Sequence, residues 1–314
     1  MAVGKELVEG PHGGDGLRVA RALGIDPRDL LDLSASLNPT PPPVADIVAR
    51  HLWLTRHYPD AEAAHERFAH ELGVDVARLV LTNGGSEAIA LVAAVLRRGT
   101  VIEPEFSLYR RHLDHVDGVD DAADGTATTR WRSNPNNPLG TTAASDALAA
   151  VWDEAYWPMT AGTWTSGDDA SWRLGSLTKL WACPGLRLGY AIAPSAAAAG
   201  QIRDLQSRWS VNALALAALP DLLDHDDLPS TARRLAARRL DFTTAAQQLG
   251  YVTRPGVAPW LLLEGTSGLR DRLAALGIVV RDCTSYGMPG VHRVALPPDG
   301  TVDRVLTALD HVRA

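Results

Sequence analysis

A lysine that follows two hydroxyl side chains is the most chemically informative feature of this chain. Ser176, Thr178 and Lys179 lie within four consecutive residues, and Arg187 follows the lysine after a short glycine-containing stretch. A lysine amine forms a Schiff base with a carbonyl compound, while hydroxyl and guanidinium groups bind phosphate oxygens. Pyridoxal phosphate carries both groups, so this pattern predicts a site for that cofactor. Without support from other segments, Lys179 would be an ordinary solvated lysine.

The cofactor ring needs partners of its own, and three segments supply them. Asp153 stands at the end of a predicted strand, where a carboxylate can keep the pyridine nitrogen protonated. Tyr156 and Asn137 can donate hydrogen bonds to the phenolic oxygen, and Phe106 can stack on the ring. Taken singly, Asp153 is also explained as a helix N-cap or a surface acid, and Phe106 as an ordinary core residue.

A predicted strand, a glycine turn and a helix precede these segments. Gly85 and Ser86 stand at the start of that helix. Backbone amides and the positive end of the helix dipole favour an anion at such a place. We therefore expect Gly85 and Ser86 to bind the cofactor phosphate together with Ser176, Thr178 and Arg187.

The order of predicted elements indicates an α/β protein. Short apolar strands alternate with helical stretches, which favours a three-layer sandwich with a mostly parallel central sheet and a smaller C-terminal α/β domain. The polar motifs follow predicted strands, and in parallel sheets the chemistry gathers at the carboxyl ends of strands. We expect an N-terminal arm at 1–43, a large domain at 44–205 and a small domain at 206–314, with an interdomain helix at about 196–226.

Composition excludes several classes of protein. The 314 residues carry a formal net charge of −7 and no basic block, so no nucleic-acid partner is expected. No apolar run approaches the roughly 18 residues of a membrane helix, and the N-terminus lacks the apolar core of a signal peptide. Two cysteines and no metal-ligand spacing favour a cytoplasmic protein without a metal site.

Motifs in one order run through most of the chain: His12 to Gly14, Ser34 to Pro39, Tyr58 to Asp60, Asn83 to Ile89, Asn134 to Gly140, Asp153 to Tyr156, Ser176 to Tyr190, Trp209 to Asn212, Val280 to Cys283, and Arg293. With them the chain resembles pyridoxal-phosphate enzymes of the aspartate-aminotransferase fold, fold type I. The resemblance is to the branch of histidinol-phosphate aminotransferase and the L-threonine-O-3-phosphate decarboxylase of cobalamin biosynthesis.

The resemblance implies roles for residues at matching positions. Lys179 would bind the cofactor covalently and shuttle a proton, while Asp153, Tyr156 and Asn137 would hold the ring. Asn137 would also contact substrate. Tyr58 would reach the cofactor phosphate of the neighbouring subunit, which implies a homodimer.

The same resemblance assigns residues to the substrate, a small phosphorylated amino acid or amine. Arg281 and Arg293 would bind its anionic groups, with the choice between them for the carboxylate left open. The N-terminal arm would cover the active site and bring His12, Gly13 and Asn38 near the substrate phosphate. From position alone, Arg293 is equally an exposed strand residue, and the arm residues are equally a plain turn and loop exit.

The leading hypothesis is decarboxylation of L-threonine O-3-phosphate to (R)-1-aminopropan-2-yl phosphate in cobalamin biosynthesis. An aminotransferase resembling the histidinol-phosphate enzyme is the first alternative, and a non-catalytic binding protein of the same fold is the second. The segments 118–133 and 140–153 are shorter than the resemblance implies, which predicts that a peripheral helix is lost or reduced.

Overall fold

The computed structural model describes residues 13–117 and 129–313. Its strands are β1 (Leu31–Asp32), β2 (Leu79–Asn83), β3 (Arg98–Val101), β4 (His115–Asp117), β5 (Arg130–Ser133), β6 (Val151–Asp153), β7 (Trp172–Ser176), β8 (Leu188–Ile192), β9 (Val252–Thr253), β10 (Trp260–Glu264), β11 (Ile278–Val279), β12 (Arg281–Asp282) and β13 (His292–Ala295). Its α-helices are α1 (Gly16–Leu23), α2 (Val44–Ala49), α3 (Glu62–Leu72), α4 (Gly85–Leu96), α5 (Leu108–His112), α6 (Trp157–Ala161), α7 (Leu177–Leu180), α8 (Ala196–Leu205), α9 (Ala213–Leu223), α10 (Leu228–Gln248), α11 (Leu269–Ala274) and α12 (Val302–Arg313).

A seven-stranded sheet in the order β2-β8-β7-β6-β5-β3-β4 carries the predicted cofactor segments. β8 is antiparallel to both of its neighbours, and the other pairs are parallel. The expected α/β fold with a mostly parallel central sheet is therefore confirmed. β2, β5, β6 and β7 end at Asn83, Ser133, Asp153 and Ser176, which brings the residues after them to the carboxyl end of the sheet.

One face of this sheet is covered by an apolar cluster that includes α4. Trp131, Val151 and Leu174 from three neighbouring strands belong to it, with Ala88 and Val92 of the helix, and each of them is buried. Parallel strands need such cover because both of their faces are usually removed from water. The cluster therefore provides a rigid base for the strand ends that carry the polar motifs.

The connection between β5 and β6 crosses without a helix. Residues 134–150 contain no α-helix, although the two strands pair in parallel, as the short spacing in this part of the sequence predicted. The side chains of β5 match this arrangement, because Trp131 is buried while Arg130 and Arg132 on the other face are only partly buried. Arg132 lies over the ring of Trp152, with its guanidinium carbon 5.2 Å from the ring centroid. The second short segment lies mainly within 118–128, outside the described residues.

The expected single helix at about 196–226 is wrong. α8 ends at Leu205 because Gln206 is extended, and its side-chain amide donates to the Leu81 carbonyl and to Glu87. α9 begins separately after Asn212, whose side chain accepts from the Ala215 amide as an N-cap. Two tertiary hydrogen bonds and a new cap therefore divide the region into two helices.

The described residues form two compact units. One comprises Pro41–Asn137 and Thr142–Arg233 and contains the seven-stranded sheet. The other comprises the described parts of Met1–Thr40 and Arg234–Ala314, together with Pro138–Thr141. It contains a four-stranded antiparallel sheet, β12-β13-β10-β9, and a parallel pair in which β1 joins β11.

Within the described ranges, none of the helices combines the length and the apolar character needed to cross a lipid bilayer.

Candidate functional site

A cradle of small and polar groups surrounds the start of α4. Gly84 has φ 75° and ψ 166°, a backbone conformation that residues other than glycine rarely adopt. A Cβ at Gly84 would lie 2.8 Å from Nη2 of Arg187, so the absence of a side chain admits the guanidinium. Gly85 lies beside Ser176, whose hydroxyl is hydrogen-bonded to that of Thr178 at 2.7 Å.

This cradle has the composition of a phosphate site. It combines the N-terminus of a twelve-residue helix, two hydroxyls and a guanidinium, all of which favour a dianion. Arg187 adopts φ 55° and is exposed, and its Nη2 donates to the Asn83 carbonyl at 3.4 Å. Ser86, the second residue of α4, is also exposed. The predicted phosphate ligands are thus gathered at one helix end.

Asp153 lies at the end of β6 and is held by two donors. Tyr109 donates its hydroxyl to Oδ2 at 2.8 Å, and the Ala155 amide donates to Oδ1 at 3.1 Å. Burial raises the pKa of Asp153, while the Tyr109 and Ala155 hydrogen bonds and the positive charge of Lys179 lower it. The electrostatic interaction with Lys179 means that the predicted lysine and carboxylate belong to one charged cluster.

A second buried carboxylate, Glu105, connects the end of β5 to the asparagine turn. Its Oε2 accepts from the Ser133 hydroxyl at 2.5 Å, and its Oε1 accepts from the Ser133 amide and from the Asn136 side chain, both at 3.0 Å. The Ser133 hydroxyl in turn accepts from the Asn137 amide at 2.8 Å. The pKa of Glu105 is raised to about 8, mainly by burial and to a smaller extent by the charge of Asp153, against the hydrogen bonds from Ser133 and Phe106, which lower it.

The remaining residues predicted to surround the ring are in the same unit. Phe106 is half-buried and lies edge-on to Tyr109, with ring centroids 5.9 Å apart. Tyr156 is buried immediately before α6, and Asn137 is buried at the turn after β5. Tyr58, predicted to serve a neighbouring subunit, is 77% exposed and stacks on Trp209 with centroids 4.3 Å apart.

Sequence reasoning missed Tyr109 and Glu105. Both flank Phe106 in the segment after β3. Tyr109 is hydrogen-bonded directly to Asp153, and Glu105 is linked to Asn137 through the Ser133 hydroxyl. The local signal for Tyr109 is limited to its place three residues after the predicted stacking aromatic, just inside the short helix α5. The contact of Glu105 with β5 is long-range and leaves no local pattern.

The predicted substrate arginines lie in the other unit, on directly opposed residues of β12 and β13. Arg281 and Arg293 are 1% and 4% exposed. The Arg281 guanidinium donates to the Ser285 hydroxyl at 2.5 Å, and its carbon lies 5.5 Å from the Tyr286 ring centroid. Two like charges on directly opposed strand residues are unfavourable unless neighbouring groups compensate them.

Arg293 is also fixed from two sides. Its guanidinium carbon lies 5.1 Å from the ring centroid of Trp260, and its Nη2 donates to the Ser34 carbonyl at 3.0 Å. The Trp260 Nε1 group donates to the Pro138 carbonyl at 2.9 Å. Arg293 is therefore a buried strand residue, and the alternative of an exposed arginine is wrong.

The N-terminal residues that were predicted to meet substrate lie in the same unit as these arginines. Gly13 packs on the Ser34 carbonyl so closely that a Cβ on Gly13 would lie 2.2 Å from it. Asn38 is buried, and its Oδ1 accepts from the Thr40 amide at 3.0 Å. His12 lies outside the described residues. Gly13 and Arg293 thus contact the same residue, Ser34.

Comparison with known proteins agrees with this geometry. A family model described as aminotransferase class I and II matches residues 131–312. Threonine-phosphate decarboxylase of Salmonella typhimurium is 32% identical over 98% of this chain and 97% of that protein. Histidinol-phosphate aminotransferase 2 of Pseudomonas aeruginosa is 31% identical over 94% of this chain and 92% of that protein.

A solved structure gives the same answer for the fold. The histidinol-phosphate aminotransferase from Sinorhizobium meliloti in complex with pyridoxal-5'-phosphate has a TM-score of 0.83 at 18% identity, covering 99% of this chain and 98% of that one. The alignment with the Salmonella protein spans 356 positions against 314 residues here, so that relative has residues at positions where this chain has none.

Proposed function

Because the chain belongs to the aminotransferase class I and II family, we propose that it decarboxylates L-threonine O-3-phosphate to (R)-1-aminopropan-2-yl phosphate and carbon dioxide. The protein is an enzyme of the class that depends on pyridoxal phosphate, and its relatives are decarboxylases and aminotransferases. The choice of decarboxylase is supported by the 32% identity with a threonine-phosphate decarboxylase across nearly the whole chain. A role in cobalamin biosynthesis is part of the same proposal.

The observation that carries the proposal is the hydrogen bond from Tyr109 to Asp153, whose pKa the positive charge of Lys179 lowers. The phosphate cradle at the start of α4 accompanies it. When bound, pyridoxal phosphate supplies an aldehyde that condenses with amines and a ring that accepts electrons from bonds at the substrate's α-carbon. Lys179 is the amine that would hold it. The donor set around α4 fits its phosphate.

Asp153 of β6 and Tyr109 of α5 would control the proton on the pyridine nitrogen of the cofactor. Asp153 would hold a proton on the pyridine nitrogen, because a buried carboxylate beside a ring nitrogen favours the charged pair. Tyr109 holds the Asp153 carboxylate in place and lowers its pKa through the 2.8 Å hydrogen bond. Asn137 and Tyr156 would donate to the phenolic oxygen. Lys179 would carry a proton to the α-carbon of the substrate.

The phosphate of the cofactor would be held at the start of α4. Gly85 and Ser86 would contribute backbone amides, Ser176 and Thr178 hydroxyls, and Arg187 its guanidinium. Phe106 would stack on the ring. These groups bind and orient, and they leave the side chain of Lys179 to do the proton transfer.

Two anionic groups distinguish the proposed substrate, and the other unit offers two guanidinium groups. We propose that Arg281 and Arg293 bind substrate anions and that Gly13, Asn38 and His12 of the N-terminal arm act at the substrate phosphate. Support comes from the placement of both arginines on directly opposed residues of β12 and β13, where both side chains are buried.

An aminotransferase acting on histidinol phosphate is the second candidate, favoured by the 31% identity with such an enzyme. The two reactions have different products and different requirements. Release of carbon dioxide from threonine phosphate without a keto acid supports decarboxylation. Formation of a keto product only when an amino-group acceptor is present would show transamination and would contradict the proposed decarboxylation.

Quaternary structure and location extend the proposal. We propose a homodimer in which Tyr58 serves the partner's cofactor phosphate, supported by an exposed stacked pair of aromatic rings, Tyr58 and Trp209. A cytoplasmic location agrees with two buried free thiols, Cys183 and Cys283. Sedimentation of the wild type and of Tyr58→Ala tests the dimer and shows whether Tyr58 acts in it or only at the cofactor.

The decisive experiment locates the covalent bond to the cofactor. Protein incubated with pyridoxal phosphate is reduced with borohydride, digested and mapped by mass spectrometry. The adduct is expected on the peptide containing Lys179, and Lys179→Ala should lose both the adduct and the visible absorbance. An adduct on the other lysine, Lys5, or no adduct at all, would falsify the proposal.

A further inference from the structure

Ser34 is a fully buried hub between the N-terminal turn and the predicted substrate arginine. Its hydroxyl donates to Asp32 Oδ1 at 2.6 Å and accepts from the Gly14 amide at 2.8 Å. Its carbonyl accepts from Arg293 Nη2 at 3.0 Å. One residue therefore contacts the turn through its side chain and the arginine through its backbone.

Asp32 makes this hub rigid. Its Oδ1 also accepts from the Ser34 amide at 2.9 Å, and its Oδ2 accepts from the Gly16 amide at 3.0 Å, at the first residue of α1. β1, which contains Asp32, pairs with β11. The hydroxyl of Ser34 is thus oriented by a carboxylate that is itself anchored in a sheet, and it presents an acceptor to Gly14.

Gly13 brings the turn into direct contact with the same carbonyl that Arg293 uses. The ideal Cβ position on Gly13 is 2.2 Å from the Ser34 oxygen and 2.9 Å from its carbon, so only glycine fits there. Leu33, the residue before Ser34, is also bonded to β13, because the Ala295 amide donates to the Leu33 carbonyl. The turn, Ser34 and the strand carrying Arg293 are therefore packed as one assembly.

We propose that Ser34 is a positioning residue that couples the Gly13–Gly14 turn to Arg293, so that an anion on Arg293 stabilises the turn, and that this coupling selects amino acids with a second anionic group. The selectivity rests on the proposed function, in which the turn meets the substrate phosphate. The physical basis is the charge-assisted bond from Arg293 to the Ser34 carbonyl, whose geometry changes when the guanidinium engages a ligand.

The test compares two buried serines of one segment. Ser34→Ala removes the hydroxyl that bonds Asp32 and Gly14, whereas Ser36→Ala removes a buried hydroxyl that has no hydrogen-bond partner among the described residues. In Ser34→Ala, the ratio of kcat/KM for threonine phosphate to that for threonine should fall about tenfold. Ser36→Ala should keep the wild-type ratio.

Hydrogen exchange of the peptide that contains Gly14 gives a readout that does not require turnover. In wild type, threonine phosphate should slow exchange in this peptide, and Ser34→Ala should abolish that protection. Gly13→Ala provides an independent route, because its Cβ forces the turn away from Ser34 without altering a core side chain. It should lower the selectivity ratio in the same direction.

The outcomes separate the coupling from the reaction itself. Equal losses for both substrates in Ser34→Ala, or unchanged protection of the Gly14 peptide, would overturn the coupling and leave decarboxylation standing. If wild type does not decarboxylate threonine phosphate, inorganic phosphate becomes the probe. The coupling would then be supported if phosphate protects the Gly14 peptide from exchange in wild type and in Ser36→Ala but not in Ser34→Ala, even though the proposed reaction has failed. Absence of protection in wild type would overturn the coupling.

Discussion

The hydroxyl of Tyr109 lies 2.8 Å from Oδ2 of Asp153, and it is the side-chain donor that holds this carboxylate at the end of β6. The tyrosine is fully buried, so the bond is shielded from water. Because the hydrogen bond favours the ionised acid, Tyr109 helps Asp153 to keep the negative charge that a protonated ring nitrogen requires. The first prediction follows from this pair.

Tyr109→Phe should raise the pKa of Asp153 and lower kcat about tenfold, since one hydrogen bond to a charged group is lost. The pH dependence of the visible cofactor band measures the change in charge directly. Tyr251→Phe is the matched control, because its hydroxyl also donates to a buried acceptor, the Leu309 carbonyl at 2.8 Å. An unchanged titration in Tyr109→Phe would contradict the assigned role of this bond.

Glu105 should make the protein less stable as the pH rises. Its folded pKa of about 8 lies above the ordinary value of 4.5, so between these values the folded state retains a proton that the unfolded state has lost. The free energy of unfolding therefore falls with pH in that window, by at most about 1.4 kcal/mol per pH unit.

Glu105→Gln isolates this contribution. It keeps a carbonyl acceptor for the Ser133 amide but removes the titrating group. The difference in free energy of unfolding between wild type and variant should therefore be smallest at low pH and should grow steadily up to a pH of about 8. Denaturant unfolding over a pH series measures it. A constant difference across the series would show that Glu105 does not titrate in this range.

Gly84→Ala should weaken cofactor binding about tenfold or more. The substitution places a Cβ 2.8 Å from the Arg187 guanidinium and strains a backbone at φ 75°, which costs on the order of 1–3 kcal/mol. Gly185→Ala is the control, because no atom of the residues that the structure describes lies within 4 Å of its Cβ position. Titration of the apoprotein with pyridoxal phosphate compares them, and equal affinities would argue against a phosphate cradle at Gly84.

Trp260 should act on Arg293 through its ring and on Pro138 through its N–H group. Trp260→Phe keeps an aromatic face below the guanidinium and loses one hydrogen bond, so stability should fall by about 1–3 kcal/mol with little change in KM. Trp260→Leu also loses the cation–π contact and should raise KM several-fold. Steady-state kinetics and unfolding of both variants test this, and identical KM values for the two would refute the role of the ring.

The sequence was sufficient to predict the fold and the position of the polar motifs at the ends of strands, because both depend on local patterns. Strand ends followed by polar motifs are visible in the sequence, and a parallel sheet brings such ends together whatever the rest of the chain does. The roles of Lys179, Asp153 and the arginines remain predictions that the experiments above address.

Contacts between distant segments were not predictable in this way. Ser34 bonds a turn twenty residues earlier in the chain and an arginine 259 residues later, and Glu105 reaches Ser133 over a separation of 28 residues. The single helix expected at about 196–226 was wrong for a related reason, since the side chain of Gln206 is bonded to Leu81 and Glu87. Tertiary hydrogen bonds overrode local helical preference there.

The helix-free crossover between β5 and β6 bears on how such enzymes can be shortened. β5 and β6 still pair in parallel across this connection, and Arg130 and Arg132 on one face of β5 are only partly buried. The ends of β5 and β6, which carry residues of the proposed site, are thus brought together without a helix in the connection between them. A miniaturised enzyme could be engineered by trimming the corresponding connection in longer relatives, provided that the newly uncovered strand positions are made polar, as they are in this chain.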